Sequence, residues 1–369
     1  MKQAISKRAV PPLPWCASWA GFLLLFGLGF SAAAAQQSEV RWSVAADPSM
    51  DLWFHGMALI GVQGPGGAPL YDVGYGAEMR GEKERRGIAV TPLDQALPTL
   101  RAAVASESEL ELLHFLPLYF PGVSRSGLLQ AVEAISTAGS GVPAVADPRA
   151  EFGATAIASI IRDPDQREVL GVFAEALEEE WDLFFGDYWR DRQVRVEGAM
   201  TEAGRTFNES VLPATAPFLR GFGLQAGRLM PSPPVGLEGR ILAGDPSNPW
   251  DNQVVVGLEG ATEDVSGLVT EITARFLKEA CYPAVREAMS ASGLAGSDPV
   301  ADARISSDAA TRCGGMVLDR FVPSMSQEYR NWVLDARGGT NSPSTDLLEA
   351  FPLPPALERA LLQVIQGAS

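Results

Sequence analysis

Beyond residue 35 this chain carries two histidines, His55 and His114, two cysteines, Cys281 and Cys313, and every one of its 45 acidic residues. Acid–base, nucleophilic or metal chemistry would have to be assembled from these side chains. Positions 55, 114, 281 and 313 include no short ligand pair of the kind that seeds a zinc site, so no metal and no cofactor is expected. Each histidine lies in an apolar run, Trp53-Phe54-His55 and Leu112-Leu113-His114-Phe115-Leu116. Either could serve as a general base, but a hydrogen-bonded structural histidine is the simpler reading. No serine stands in a nucleophile elbow: Gly122-Val123-Ser124-Arg125-Ser126-Gly127 has the wrong spacing and no strand before it. Gly64-Pro65-Gly66-Gly67 lacks the lysine of a phosphate loop. Asp245, Asn248, Asp251 and Asn252 offer oxygen ligands around Pro246 and Pro249, yet without EF-hand spacing, and turn chemistry accounts for them. Glu178-Glu179-Glu180 reads as solvated surface, and nothing singles out two carboxylates for glycoside hydrolysis.

The elements that would position these residues are mostly helical. Residues 36–50 are polar and read as loose or extended, and 50–62 suit a buried helix or strand. Charged residues at 78–86 fit a short helix, and Thr91-Pro92-Leu93-Asp94 is a helix start capped by Thr91. The apolar run at 110–120 ends at Pro121-Gly122. From about Asp165, residues Val169, Val172, Phe173, Ala176, Leu177, Trp181, Phe184, Phe185 and Tyr188 recur at helical spacing, forming a core-facing stripe that continues toward Asn208. Past Phe222 the texture changes to short apolar runs near 228–230, 239–243 and 252–258, separated by Pro and Gly. Their short connections predict a small antiparallel sheet. A second strong helix follows, with Val265, Leu268, Val269, Ile272 and Phe276 on one face, kinked or ended at Pro283. Further helices are expected at about 307–320, 325–335 and 355–366.

Short strands leading into the segment Leu268-Val269-Thr270-Glu271-Ile272-Thr273-Ala274-Arg275-Phe276 give an element order similar to that of zincin metallopeptidases. The resemblance covers roughly residues 225–335 and rests on element order and helix texture. In that family the helix bears HExxH, whose two histidines share a face to hold zinc while the glutamate activates water. Here Thr270 and Ala274 stand in the histidine positions and Glu271 in that of the base. The resemblance implies a downstream acidic ligand, for which Asp308 and Asp319 are nearest, and a helix that has lost its metal. It also implies that a Cys281–Cys313 bridge would tie this helix to the one behind it.

The first 35 residues set the address. Lys2, Lys7 and Arg8 precede an uncharged stretch centred on 21–30, followed by Ser31-Ala32-Ala33-Ala34-Ala35-Gln36. That order is the pattern of a cleavable secretory signal, with an uncleaved anchor as the rival reading. Cleavage takes three of the 29 basic residues and none of the 45 acidic ones, leaving 26 against 45 and a net charge of −19. So negative a chain disfavours nucleic acid and anionic membrane surfaces as partners, and leaves a protein or peptide. In an oxidising compartment, periplasmic or extracellular, the even cysteine count favours a disulfide over two buried thiols. Lysine is nearly absent beyond residue 35, with only Lys83 and Lys278, and this reads as source composition, not chemistry. The expectation is therefore a signal at 1–35 and one α+β domain at 36–369, with possible subregions 36–150 and 151–369. That domain is predominantly helical, with a small antiparallel sheet before the zincin-like helix. As a function it predicts a non-catalytic scaffold or binding protein, the alternative being a hydrolase with Glu271 as general base.

Overall fold

The computed structural model describes residues 40–61 and 70–368, apart from 107, 140, 245–250, 259–263, 295–298 and 338–345. The signal segment, the Gly64-Pro65-Gly66-Gly67 break and residues Asp245 and Asn248 of the proposed turn lie outside them. The chain opens with β1 (Arg41–Val44) and α1 (Pro48–Ile60), then α2 (Tyr75–Arg85) and α3 (Pro92–Ser106). Two 3-10 segments, Ser108–His114 and Leu116–Tyr119, lead to α4 (Arg125–Thr137), α5 (Glu151–Ile160), α6 (Pro164–Glu180), α7 (Gly186–Thr206) and α8 (Leu212–Gly221). The strands β2 (Ala226–Pro231), β3 (Arg240–Leu242) and β4 (Gln253–Val256) follow. The chain closes with α9 (Val265–Ser292), α10 (Pro299–Phe321), α11 (Ser326–Arg337), α12 (Leu347–Ala350) and α13 (Pro355–Gly367). None of the described helices is long and apolar enough to cross a membrane.

The class is the expected one, helix-dominated α+β, and three strands lie where the sequence places them. Their pairing is not antiparallel throughout. The sheet order is β1-β2-β4-β3, with β1 parallel to β2, β2 parallel to β4, and only β3 antiparallel to β4. Residues 232–252, with β3 inside them, are long enough to carry the chain back for a parallel pairing, so β3 becomes the edge. The fourth strand, β1, forms within the segment read as loose or extended. Asn208 clamps it: its Oδ1 accepts from the Trp42 amide at 3.1 Å and its Nδ2 donates to the Trp42 carbonyl at 2.9 Å. The Trp42 ring then packs over Gly227, where an added Cβ would stand 2.7 Å from it.

All four residues of β4 are buried, as expected of a strand covered on both faces. Leu229, Val254 and Val256 point into one hydrophobic cluster, built on α8, α9, α10 and α13 with the end of α7. Met230 and Val255 point into a second, built on α1 through α6 and the start of α7. The sheet is thus a shared floor between two helical layers.

Helices α6, α7 and α8 form one continuous run broken by two π-turns, Trp181–Phe185 and Phe207–Val211. The second carries the Asn208 clamp. Asp47 starts α1 by accepting from the Ser49 and Met50 amides, and Gly61 ends it at φ 74°. Helix α9 does not stop at Pro283 but continues to Ser292. Both halves are buried against α10 and α13, and that packing outweighs the hydrogen bond the ring removes.

Candidate functional site

The first half of α9 is where chemistry was expected. Ala274, at the second of the two positions compared with HExxH, is sealed in the core at 1% exposure and faces apolar side chains. Thr270 lies at the rim of a shallow groove of about 450 Å³, with Val265, Val269, Met325 and Glu328 among its lining, and its hydroxyl donates to Glu328 at 3.0 Å. Glu271 is buried and accepts from Arg275 Nε, one turn along, at 3.0 Å. The Arg275 guanidinium also donates to the Gly236 carbonyl at 2.8 Å and lies 5.0 Å from the Trp332 ring centre. These contacts pin the loop after β2 and α11 to the helix. Asp319, one of the proposed acidic ligands, is engaged by Arg330 at 2.5 Å. No group of three or more His, Cys, Asp or Glu able to hold a metal exists among the described residues.

Two turns further on, α9 carries a denser cluster. Lys278 Nζ donates to Glu238 Oε1 at 2.6 Å, Ser307 Oγ donates to the same oxygen at 2.7 Å, and the Tyr282 hydroxyl donates to Oε2 at 3.0 Å. Burial works to raise the Glu238 pKa, but the Lys278 charge and these donors outweigh it and hold the carboxyl at about 2. Beside it, Glu279 is buried and accepts the Gly239 amide at 2.9 Å. Burial pushes its pKa up to about 7 against the pull of Lys278. Gly239 is required here, since a Cβ would meet the Val255 carbonyl at 2.7 Å and the Glu279 carboxyl at 2.8 Å. Cys281, between these residues on α9, is joined to Cys313 of α10, with Cα atoms 6.0 Å apart.

Across the sheet the other lysine sits in a network whose inner members, Lys83, Glu180 and His55, are buried. Lys83 Nζ donates to Asp94 Oδ2 at 2.8 Å, to Thr91 Oγ1 at 3.0 Å, and lies 2.9 Å from Glu180 Oε1. His55 Nε2 meets the same Glu180 oxygen at 3.1 Å, and His55 Nδ1 meets the Tyr75 hydroxyl at 2.9 Å. A carboxylate only accepts, so Nε2 carries the proton and donates, which leaves Nδ1 to accept from Tyr75. Phe185 stacks on the imidazole at 4.3 Å between ring centres, and Phe184 lies under the ammonium at 5.3 Å. The first π-turn starts at the residue that follows Glu180 and carries both rings. Burial lowers the His55 pKa below its ordinary value, with Glu180 opposing. Burial also works to raise Glu180, but the His55 and Lys83 contacts prevail and lower it.

His114 takes a third position. Its Nδ1 lies 2.7 Å from the Tyr71 hydroxyl, and burial together with the Arg240 charge lowers its pKa to about 3. Neither histidine joins Glu271. Asn252 spends its amide on the chain, donating to the carbonyls of Gly223 and Ala226 and accepting from the Gly244 amide at 2.8 Å, a turn-stitching role.

The solvated reading of Glu178-Glu179-Glu180 holds for the first two and fails for Glu180, which is 0% exposed. The signal was present, because Glu180 follows Leu177 by three and precedes Phe184 by four, on the apolar stripe itself. The second missed signal is lysine. The two that remain among so many arginines both sit inside carboxylate clusters, where a compact ammonium with three rotatable donors fits and a planar fork does not. No protein-family model, no curated protein and no solved structure matches this chain.

Proposed function

We propose that this chain is an exported, non-catalytic scaffold or binding protein for a protein or peptide, built on a zincin-like element order whose helix has lost its chemistry. The observation that carries the reading is the state of α9. Where a metal-bearing helix needs two imidazoles one turn apart, Ala274 is core and Thr270 is tied to Glu328. Where it needs a carboxylate free to take a proton from water, Glu271 is held by Arg275. Export is supported by the signal pattern at 1–35 and by the Cys281–Cys313 bridge, which suits an oxidising compartment.

Metal analysis of the mature protein, purified without chelator, is expected to find only trace zinc. Stoichiometric zinc would overturn the reading. Glu271→Gln is the companion test: a peptidase or esterase activity that this variant abolishes while leaving the melting curve in place would favour the hydrolase.

A further inference from the structure

Both histidines lie in the helical layer of α1 through α6, and the disulfide lies in the other. His55 is on α1, fully buried, with both ring nitrogens committed to Tyr75 and Glu180. A second proton on Nδ1 would make it donate to the Tyr75 oxygen, and the Tyr75 proton would lose the acceptor it has in this buried site. His114 closes the first 3-10 segment, against Tyr71 and beside the buried Arg240 guanidinium. A proton there would set one cation against another.

We propose that the layer of α1 through α6 is an acid-released unit, in which two sealed neutral histidines make the helices loosen from the sheet as the medium acidifies while the disulfide-tied layer of α9 and α10 keeps its packing.

The sign follows from what surrounds each group. Around His55 stand Glu180 of α6, Lys83 and Tyr75 of α2 and Asp94 of α3. Helix α4 adds only Arg125, stacked over Trp181, and the exposed Glu133, and the 108–114 segment adds the exposed Glu111. Around His114 stand Tyr71 and Arg240, while Arg101 of the neighbouring α3 is spent on the carbonyls of Leu59 and Ile60. Both histidines have folded pKa values below the ordinary 6.5, so each takes up its proton only on opening, and opening gains as pH falls below 6.5. Asp94 and Glu180, also lowered, act in the same sense at lower pH. One group opposes: Asp51 on α1, raised by burial to about 6 with Arg192, Ser232, Trp189 and Asp47 around it, holds a proton in the fold that opening would release. In the other layer Glu279 has the opposite effect to the histidines, since its raised pKa makes acid favour the closed state.

Hydrogen exchange at peptide resolution on the mature protein, corrected for the intrinsic rate of each amide, reads this directly. From about pH 7.5 to about pH 5, the His114 proton, offset by that of Asp51, should raise the opening constant of α1, α3 and α6 about 3-fold, and the His55 proton should raise it further. Peptides of α9 and α10 should show no rise. His114→Gln, which can still accept from Tyr71, should shrink the ratio of opening constants between these two pH values by about 30-fold. An equal rise in both layers, no rise in α1, or an undiminished rise in His114→Gln would each overturn the proposal. If that variant fails to fold, the comparison of the two layers in the unaltered protein still decides.

Discussion

Beyond residue 35 the chain has two lysines, one in each helical layer, and both answer carboxylates, but at unlike depth. At Lys83 one pair is sealed, with its own side chain 5% exposed and that of Glu180 0%, while Asp94 at 26% carries the network to the surface. Around Lys278 the cluster is half open, with the Glu238 side chain at 24%. The difference teaches that the same ion pair can be a structural keystone or a surface clasp, depending on what else can solvate its members. A sealed pair cannot lose one partner without stranding a charge away from water. A half-open pair can be re-solvated where it stands.

The sharpest way to break the comparison is Lys83→Met, which keeps the length and apolar contact of the side chain and removes the ammonium. Glu180 would keep His55 as donor and Asp94 the Thr91 amide and hydroxyl, but no cation would balance the two carboxylates. The expected cost is about 3–5 kcal/mol in urea unfolding at neutral pH. A loss under about 1 kcal/mol would mean that water reaches the network. Next in size is the bridge. Cys281 and Cys313 enclose a loop of 32 residues' separation, and Cys281→Ser with Cys313→Ser should cost about 3–4 kcal/mol in the chain-entropy account. The loss should fall on α9 and α10, leaving exchange of α1 unchanged.

How much of this could be read from sequence differs between the layers. The stripe of α6 and α7, the capped start of α3 and the amphipathic α9 were legible because their periodicity follows from burial of one face. The Thr91-Pro92-Leu93-Asp94 start goes further than a cap, since Asp94 Oδ2 accepts from the Thr91 amide at 2.9 Å and from Lys83. That second contact comes from another helix, and no local pattern announces it. The parallel pairing of β2 with β4 and the recruitment of β1 were not legible, because partner choice in a sheet is set by distant chain. Trp42 lies in a strand laddered to Ala226–Leu229 and clamped by Asn208, 166 residues on. The buried Glu180 was legible and was passed over, because a run of three glutamates masks the phase of the third. At α9 the residue types alone exclude the metal, yet Arg275 as the partner of Glu271 follows from i, i+4 spacing that reads equally as surface pairing.

The third test sharpens the contrast by pH. Glu279→Gln keeps an acceptor for the Gly239 amide but removes a carboxyl whose pKa is raised to about 7. Such a group costs nothing below its ordinary value of 4.5, and its cost grows as pH rises to about 7 and is complete above that. The variant should therefore be more stable than the parent at about pH 8, by roughly 1–3 kcal/mol, with the gain vanishing toward about pH 5. A variant that is less stable at both pH values would show that the carboxylate itself holds Gly239.

The smallest expected effect comes from Lys278→Met, the counterpart of Lys83→Met. Glu238 would keep the Tyr282 and Ser307 hydroxyls, at 3.0 and 2.7 Å, and its open side would admit water in place of the ammonium. What is lost is one charge-assisted bond in a partly screened setting, about 1 kcal/mol. The pH dependence should change more than the stability does. Without Lys278 the Glu238 carboxyl rises from its depressed value toward the ordinary range, so the stability it contributes is lost at higher pH on acidification than in the parent. Urea titrations of both lysine variants across the acid range would then separate them in kind. Lys83→Met should be costly at neutral pH, and Lys278→Met should be mild there and visible mainly as a shifted acid limb.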